Sequence, residues 1–313
     1  MQLPTPFARI GTRGSPLALA QAQLVRDRLA ARHGVPPDSI AITVISTHGD
    51  RSQAENTTLS TIGGKGVFTK EIDEALLGGH IDIGVHSSKD VATGLSPGMA
   101  LAAFLEREDV RDAFISVSVK GIDNLPQGAR LGTSSIRRAA QARRLRPDLT
   151  IVPFRGNVHT RLQKLLDGVA DATLLALAGL NRLGEAHRAT AILDPEAFMP
   201  APAQGAIGLA IRADDSRFAD IVAPLDHAPT HATIAAERAM LAVLDGSCRT
   251  PVGALSTHAD GRLGLKGEIL SLDGQRCFRA SGEGQDPVQL GRKVGQALLD
   301  QAGPDWLAQW ALS

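Results

Sequence analysis

The chain has 313 residues, in which 33 Lys and Arg balance 33 Asp and Glu and 43% of residues are hydrophobic. This length exceeds the size at which one hydrophobic core keeps growing, so two or three domains are expected. Balanced charge gives no sign of a nucleic-acid or membrane partner, and no apolar run is long enough to cross a bilayer. Two cysteines and an N-terminus without the pattern of an export signal predict a cytoplasmic protein.

The first hundred residues alternate short apolar strands with helices. A strand is predicted over residues 7–13, followed by a helix with Ser15 as its N-cap and Pro16 in its first turn. Two more strands, at 39–47 and 80–86, flank a helix at 66–79. Strands and helices in this order indicate an α/β sheet that is parallel or mixed.

The same pattern starts again near residue 129, with a Gly-Thr turn at 131–136 that resembles the turn at 10–15. Each turn leads to a hydroxyl-capped helix N-terminus at the carboxyl edge of a sheet, where anions and other ligands bind. We therefore expect two similar α/β lobes that enclose a cleft. Residues 107–117 and 200–212 are the predicted crossovers between the lobes, and they supply two hinge strands.

After the second crossover the pattern changes to helix, strands and a final helix, with a hairpin turn at Asp273-Gly274. This order predicts a smaller α+β third domain. The predicted domains are residues 1–105 with 204–224, residues 106–203, and residues 225–313.

A cluster of basic residues stands out in this otherwise balanced sequence. Between residues 137 and 164 there are eight Lys and Arg and one acid, Asp148. Guanidinium groups bind carboxylates through two points, so the cluster predicts a ligand with several carboxylates or phosphates. A solvated helix face is the alternative. Nucleic acid is disfavoured because no aromatic residues alternate with the arginines. A phosphate ligand stays possible, although no phosphate-binding glycine motif is present.

Two other segments carry candidate chemistry. In "VHSSKDV", residues 85–91, Asp90 follows a strand and could stabilise positive charge on a substrate, although a surface turn also explains it. In "LDGSCRTPVGA", residues 244–254, Cys248 lies in a polar loop. Three roles are open for this thiol, namely an inert side chain, a nucleophile with a distant histidine, or a permanent covalent anchor. Cys277 falls in a predicted strand and is expected to be structural.

Nine segments in the same order resemble the porphobilinogen deaminase, or hydroxymethylbilane synthase, family along nearly the whole chain. They are "GTRGSPLALAQA", "GGKGVFTKEID", "VHSSKDV", "LEREDVRDAFIS", "LGTSSIRRAAQ", "FRGNVHTRLQKL", "LALAGLNRL", "PAQGAIGL" and "AAERAMLAVLDGSCRTPVGA". The resemblance implies an α/β fold of two lobes similar to type II periplasmic binding proteins, with hinge crossovers and a smaller α+β C-terminal domain.

The resemblance also implies a function. Cys248 would form a thioether to a dipyrromethane cofactor made from two substrate units, to which four porphobilinogens are added with loss of ammonia before hydrolysis releases hydroxymethylbilane. Asp90 would be the catalytic carboxylate that stabilises the cation left when ammonia departs. The residues implied to hold the cofactor are Cys248, Lys89, Asp90, Ser135, Arg137 and Arg138. Those implied to bind substrate are Arg13, Ser15, Lys65, Arg155, Arg161 and Gln204.

The sequence departs from the family at a few positions. Ala92 and Val110 replace common prolines, and Ala203 and Ala210 replace a glycine and an acidic residue. A two-lobed binding protein for a small organic anion and a thiol-dependent hydrolase or transferase are the rival hypotheses. The first leaves Asp90 and Cys248 without a role. We further expect a monomer that takes porphobilinogen as its small-molecule substrate, with no metal, nucleic acid or membrane partner.

Overall fold

The structure is a computed structural model that describes residues 6–48, 69–244, 250–303 and 306. Lys65 and Cys248 lie outside the described residues. The chain divides into two compact units, Met1–Arg107 with Ala206–His231 and Glu108–Gly205 with Ala232–Ser313. The chain passes from one unit to the other at residues 107–108, 205–206 and 231–232, and the first two passages lie inside the two predicted crossovers. Their action as hinges stays a prediction.

The first unit is built on a five-stranded mixed sheet. Its strands are β1 (Ala8–Thr12), β2 (Ile40–Val44), β3 (Ile83–Ser87), β4 (Met99–Phe104) and β10 (Ile207–Arg212), in the order β2-β1-β3-β10-β4. β1 is parallel to β2 and β3, whereas β10 is antiparallel to β3 and β4. Its helices are α1 (Pro16–His33), α2 (Lys70–Leu77) and α6 (Ser216–Val222).

The second unit contains a sheet with the same design. Its strands are β5 (Asp112–Ser116), β6 (Arg130–Gly132), β7 (Thr150–Val152), β8 (Ala172–Ala176) and β9 (Ala191–Ile192), in the order β7-β6-β8-β5-β9. Its helices are α3 (Ile136–Leu145), α4 (Val158–Leu166) and α5 (Leu177–Arg182). β5 and β10 are each the first strand after a crossover, and each takes the fourth, antiparallel place in its sheet. The predicted α/β class and the repeat are confirmed.

The second unit also holds a smaller sheet of three antiparallel strands. Helix α7 (Ala228–Val243) leads into β11 (Val252–Ala259), β12 (Arg262–Leu270) and β13 (Cys277–Gly284), and α8 (Pro287–Ala302) follows. Met240, Leu265, Val294 and Leu298 form part of a core of its own beside this sheet. The predicted turn at residues 273–274 is confirmed, since Gly274 has φ +76° between β12 and β13. The exact domain boundaries stay a prediction.

Helix α1 shows why the local sequence folds as predicted. The Ser15 hydroxyl accepts a hydrogen bond from the Ala18 N–H at 3.3 Å, and Gly34 ends the helix with φ +65°. Val25 and Leu29 are fully buried against the first sheet. This packing fixes the helix N-terminus at the carboxyl end of β1. Among the described residues, no helix is long and apolar enough to span a bilayer.

Candidate active site

In the first unit, the predicted residues lie at the carboxyl ends of the neighbouring strands β1 and β3. Arg13 and Ser15 follow β1, and Lys89 and Asp90 belong to a single turn of 3-10 helix, Ser88–Asp90, after β3. Both Lys89 and Asp90 are partly exposed. They can therefore meet a ligand while the sheet holds their backbone.

A buried side-chain pair joins helix α1 to the end of β3. The Gln21 amide donates to Ser87 Oγ at 2.9 Å, and the Ser87 hydroxyl can donate to Gln21 Oε1 at 3.0 Å. Gln21 is 2% exposed, so this contact is shielded from water. The pair therefore ties the helix that begins after Arg13 and Ser15 to the strand that precedes Lys89 and Asp90.

Two buried polar side chains precede Asp90, and the sequence did not single them out. His86 and Ser88 are buried, and within the described residues neither His86 Nε2 nor Ser88 Oγ has a hydrogen-bond partner. Burial, together with the positive charge of Arg13, lowers the pKa of His86 to about 4. His86 is therefore neutral at pH 7. Glycine at position 84 makes room for this ring, because a Cβ there would lie 2.8 Å from His86 Nε2.

In the second unit, Arg137 and Arg138 meet one buried carboxylate. Arg137 Nη2 donates to Asp112 Oδ2 at 2.8 Å, and Arg138 Nη2 donates to Asp112 Oδ1 at 2.7 Å. The arginines are 5% and 6% exposed and Asp112 is fully buried. Burial disfavours the Asp112 carboxylate, but the two guanidinium charges and their hydrogen bonds outweigh it and hold the pKa of Asp112 well below its usual range. The solvated-face alternative is wrong for these two arginines.

Gln204 belongs to the same cluster, because its Nε2 donates to Asp112 Oδ1 at 3.0 Å and to the Val110 carbonyl at 2.7 Å. Ser135 caps α3 and accepts from the Arg138 N–H at 3.4 Å. These contacts place three predicted ligand residues, Ser135, Arg138 and Gln204, around the start of one helix.

Arg155 and Arg161 lie near the neighbouring strand end. Arg155 follows β7, which pairs with β6 in parallel, and the Arg161 side chain donates to the Gly156 carbonyl at 2.9 Å. Both side chains are partly exposed. Arg155 and the start of α3 therefore follow adjacent strands at the same edge of the second sheet.

A chain of buried polar contacts continues from Arg137 to the small sheet. Arg137 Nη1 donates to Gln141 Oε1 at 2.9 Å, and Gln141 Nε2 donates to Glu268 Oε1 on β12 at 2.8 Å. Glu268 Oε2 accepts from Arg279 at 2.7 Å and lies 3.5 Å from the Cys277 sulfur. Burial, and secondarily the charge of Glu268, raises the pKa of the Cys277 thiol. This thiol is thus a poor nucleophile.

The cluster carries more positive than negative charge. Arg137, Arg138 and Arg279 face the carboxylates of Asp112 and Glu268, which leaves one positive charge in excess. The Nε atoms of Arg137 and Arg138 are buried, and no residue in the described part of the chain accepts a hydrogen bond from them. Buried donors and uncompensated charge are costly unless an anion meets them. A ligand with several carboxylates therefore fits these residues. In the described part of the chain, no group of His, Cys, Asp and Glu could hold a metal ion.

Comparison with known proteins identifies the class to which this arrangement belongs. Residues 8–220 match the family "Porphobilinogen deaminase, dipyromethane cofactor binding domain", and residues 231–300 match "Porphobilinogen deaminase, C-terminal domain". A porphobilinogen deaminase from Nitrobacter hamburgensis is 51% identical over 307 residues, which cover 97% of this chain and 96% of that protein.

Solved structures give a looser likeness. A periplasmic substrate-binding protein of an ABC transporter from Coxiella burnetii matches with 16% identity and a TM-score of 0.44, over 74% of this chain and 97% of the other. A putative methionine-binding lipoprotein from Bacillus subtilis matches with 12% identity and a TM-score of 0.43, over 70% and 89%.

The two family matches define an enzyme class that binds a dipyrromethane cofactor. The chain belongs to the porphobilinogen deaminase family. It is a transferase of tetrapyrrole biosynthesis that polymerises porphobilinogen into hydroxymethylbilane, and it uses a dipyrromethane cofactor that is attached through a cysteine. The binding-protein and thiol-hydrolase hypotheses are therefore set aside.

Proposed function

We propose that the cluster on Asp112 binds carboxylates of the cofactor and growing product, and that Asp90 acts on the reacting porphobilinogen unit. The observation that carries this assignment is the pair of buried guanidiniums, Arg137 and Arg138, which share one carboxylate and whose Nε–H groups meet no acceptor among residues 6–48, 69–244, 250–303 and 306. Porphobilinogen bears acetate and propionate groups, so each added unit brings two more carboxylates. Fixed guanidiniums bind such groups with defined direction.

Ser135, Arg155, Arg161 and Gln204 complete the proposed anion-binding set in the second unit. Ser135 stands at the N-terminus of α3, where backbone N–H groups and the helix dipole favour negative charge. Arg155 follows the adjacent strand and can reach ligand groups at the same edge. Gln204 shares Asp112 with Arg138, which fixes its amide. These residues would hold the carboxylates while the reacting end of the substrate stays free.

In the first unit, we assign the chemical step to Asp90. Loss of ammonia leaves a positively charged methylene carbon on the pyrrole, and a preorganised carboxylate stabilises that charge as it develops. The end of β3 and its 3-10 turn hold Asp90 in place, and its partial exposure gives a ligand access. Lys89, Arg13 and Ser15 are assigned to the acidic side chains of substrate or cofactor, and Lys65 is assigned to the same task from its sequence position.

We assign cofactor attachment to Cys248. The chain has two cysteines, and the second, Cys277, starts strand β13 beside the buried Glu268 carboxylate. When bound, the dipyrromethane supplies the pyrrole α-carbon to which the first substrate unit is joined. Residue 248 lies in sequence between α7 and β11, so the attachment point belongs to the proposed third domain, residues 225–313. A separate hydrophobic core beside the three-stranded sheet supports this division from residues 106–203.

The assignment of the arginines is tested by intact-mass spectrometry of purified full-length chains. Arg138→Leu removes one of the two buried guanidiniums, and we expect a much smaller fraction of the chains to carry covalent cofactor mass. Arg130→Leu is the matched control, because Arg130 forms an exposed pair with Asp171 in the same sheet. Full cofactor occupancy in a folded Arg138→Leu variant would contradict the assignment.

We also propose that the protein works as a cytoplasmic monomer without a nucleic-acid partner. The two cysteines are typical of a reducing compartment, and the overall charge is balanced. Part of the basic cluster is used internally, since Arg137 and Arg138 bind Asp112 and Arg146 binds Asp148. Those side chains therefore do not form a solvent-facing stripe for phosphates. Light scattering with and without added RNA tests the monomer and the missing partner together.

A further inference from the structure

Asp112 touches three of the residues that are proposed to bind ligand, yet it has no assigned role. It opens strand β5 and is fully buried. Its Oδ2 accepts from Arg137, and its Oδ1 accepts from both Arg138 and Gln204, at distances between 2.7 and 3.0 Å. Both carboxylate oxygens are thus occupied by protein donors. Asp112 acts on a ligand through these donors and not by direct contact.

The contacts with Asp112 fix the planes of both guanidiniums. Arg137 is held at Nη2 by Asp112 and at Nη1 by Gln141 and the Met199 carbonyl. Arg138 is held at Nη2 by Asp112 and at Nη1 by the Leu174 carbonyl. A planar group anchored at both terminal nitrogens cannot rotate. The Nε–H edge of each guanidinium is therefore directed by the protein, and none of the residues that the structure describes accepts a hydrogen bond from this edge.

Asp112 also sets the charge of the cluster. One carboxylate between two adjacent guanidiniums offsets their mutual repulsion and still leaves net positive charge for an anion. A second carboxylate against the same two arginines would neutralise their charge, and no carboxylate would leave two like charges buried side by side. A single buried aspartate therefore suits a site that must hold two arginines together and still attract an acidic ligand.

We propose that Asp112 is a positioning residue for the carboxylate-binding arginines of this enzyme. It aligns Arg137 and Arg138, and it holds Gln204 beside them, so that the Nε–H groups of the two arginines meet acidic side chains of the cofactor and substrate. This inference rests on the proposed function of those arginines. The alternative is a purely structural ion pair, which would stabilise the fold without any influence on ligand affinity.

The test compares full-length Asp112→Asn with wild type in three measurements, which are the fraction of chains with covalent cofactor mass, the KM and kcat of the cofactor-bearing fraction, and the midpoint of thermal unfolding. Asparagine has the same shape but lacks the charge and one acceptor oxygen. We expect a lower cofactor fraction and a KM for porphobilinogen raised roughly ten- to hundredfold, the range for lost hydrogen bonds to charged groups. The decrease in kcat should be smaller than the increase in KM.

Asp171→Asn is the matched control. Asp171 receives hydrogen bonds from Arg130, but this pair is exposed and lies at the amino ends of β6 and β8, whereas Asp112 pairs with Ala176 at the carboxyl end of β8. We expect wild-type occupancy and KM for this variant. Lowered thermal stability of Asp112→Asn with wild-type occupancy and KM would overturn the inference, because only a structural pair behaves in that way.

A second variant covers the case in which Asp112→Asn does not fold. Asp112→Glu keeps the charge and moves the carboxylate outward by one methylene, so the positioning role predicts a folded chain with raised KM. Wild-type KM in Asp112→Glu would overturn the inference.

Arg138→Leu in the same assays separates the proposed function of the arginines from the positioning role of Asp112. A normal cofactor fraction and a normal KM in Arg138→Leu would refute the proposed function. A reduced cofactor fraction and a raised KM in Arg138→Leu, with wild-type cofactor fraction and KM in the Asp112 variants, would refute only the positioning role.

Discussion

The two five-stranded sheets share one strand order but carry different chemistry at their carboxyl ends. In the first, Ser15 caps α1, and Gln21 of that helix binds Ser87 at the end of β3. In the second, Ser135 caps α3, and the equivalent region carries Arg137 and Arg138 on the carboxylate of Asp112. The same backbone frame thus supports a neutral amide contact in one unit and a buried cluster of charges in the other.

The proposed assignments give the two units different roles. In the second unit, the arginine cluster has excess positive charge and Nε–H donors without an acceptor among the described residues, which suits the binding of carboxylates. The first unit presents the partly exposed Asp90, after the neutral His86, which suits the stabilisation of a cation. Changes in the first unit should therefore affect turnover, and changes in the second should affect cofactor retention, substrate affinity and stability.

The largest expected effect is on turnover, from Asp90→Asn. Loss of the carboxylate removes charge stabilisation when ammonia leaves, and losses of about 10²–10³ in kcat are typical for one preorganised group. Ammonia release under saturating porphobilinogen measures this effect, and substrate affinity should change little. Asp27→Asn is the control, because Asp27 is an exposed carboxylate on α1 that pairs with Arg26. Retention of most of the turnover by Asp90→Asn would refute the catalytic role.

In the second unit, Arg137→Leu should lower the free energy of unfolding. This change leaves Asp112 with one guanidinium, and it removes the Arg137 hydrogen bonds to Gln141 Oε1 and to the Met199 carbonyl, which keeps only its bond from Gln141 Nε2 among the described residues. Breaking a buried charge pair costs about 3–5 kcal/mol, whereas Arg130→Leu breaks an exposed pair worth roughly 0–1 kcal/mol. Urea unfolding of both variants measures the contrast. Equal losses in the two would show that burial of the cluster is not important for stability.

Most of the fold, and part of the difference between the carboxyl ends of the two sheets, could be predicted from sequence. The hydrophobic periodicity, the serine N-caps and the Gly-Thr turns are local signals, and they gave the helices after Ser15 and Ser135 and the repeated lobes. Asp112 could not be recognised in the same way, because its partners Arg137 and Arg138 lie 25 and 26 residues further along the chain. One signal was present, since an acidic residue stands directly before the apolar run of β5.

Other site features depend on burial, which local sequence does not reveal. His86 lies in a strand that reads as alternating, and its neutral state follows from burial and from the charge of Arg13, which follows the neighbouring strand β1. The same is true of Glu268, which reads as a surface residue of β12 but is 1% exposed beneath Gln141 and Arg279. Residues 65 and 248 lie outside the described residues, so their roles rest on sequence alone.

His86 predicts a loss of stability in mild acid. Its pKa is about 4 in the folded chain and about 6.5 when unfolded, so the unfolded state binds a proton first as the pH falls. The free energy of unfolding should be constant above pH 6.5 and should fall by about 2 kcal/mol at pH 5 because of this residue. In His86→Gln the difference between pH 7 and pH 5 should shrink by that amount.

Denaturant unfolding at pH 7 and pH 5 measures this effect. His187→Gln is the control, because the His187 side chain is largely exposed. If the free energy of unfolding of His86→Gln falls between pH 7 and pH 5 by as much as that of wild type, burial does not hold the His86 imidazole neutral.

The smallest expected effect lies beside the second crossover. Ala203 has φ +61°, a left-handed conformation that costs a non-glycine residue roughly 1–2 kcal/mol, and its N–H donates to the buried Glu237 carboxylate at 2.6 Å. Ala203→Gly should raise the free energy of unfolding by roughly 0.5–1 kcal/mol after the added entropy of the unfolded chain is subtracted. Ala201→Gly, at a residue without positive φ, should lower it. Thermal unfolding of both variants tests whether the two changes in the free energy of unfolding have opposite signs.

The most direct test is the intact mass of the freshly purified, active full-length chain and of two cysteine variants. We expect wild type and Cys277→Ser to exceed their amino-acid masses by two pyrrole units, and Cys248→Ser to show no excess and no turnover. Two results would contradict the assignment of a dipyrromethane cofactor that is tethered to Cys248 and held by the arginine cluster. One is an active wild-type chain whose mass equals its amino-acid mass, and the other is an excess mass that persists in Cys248→Ser.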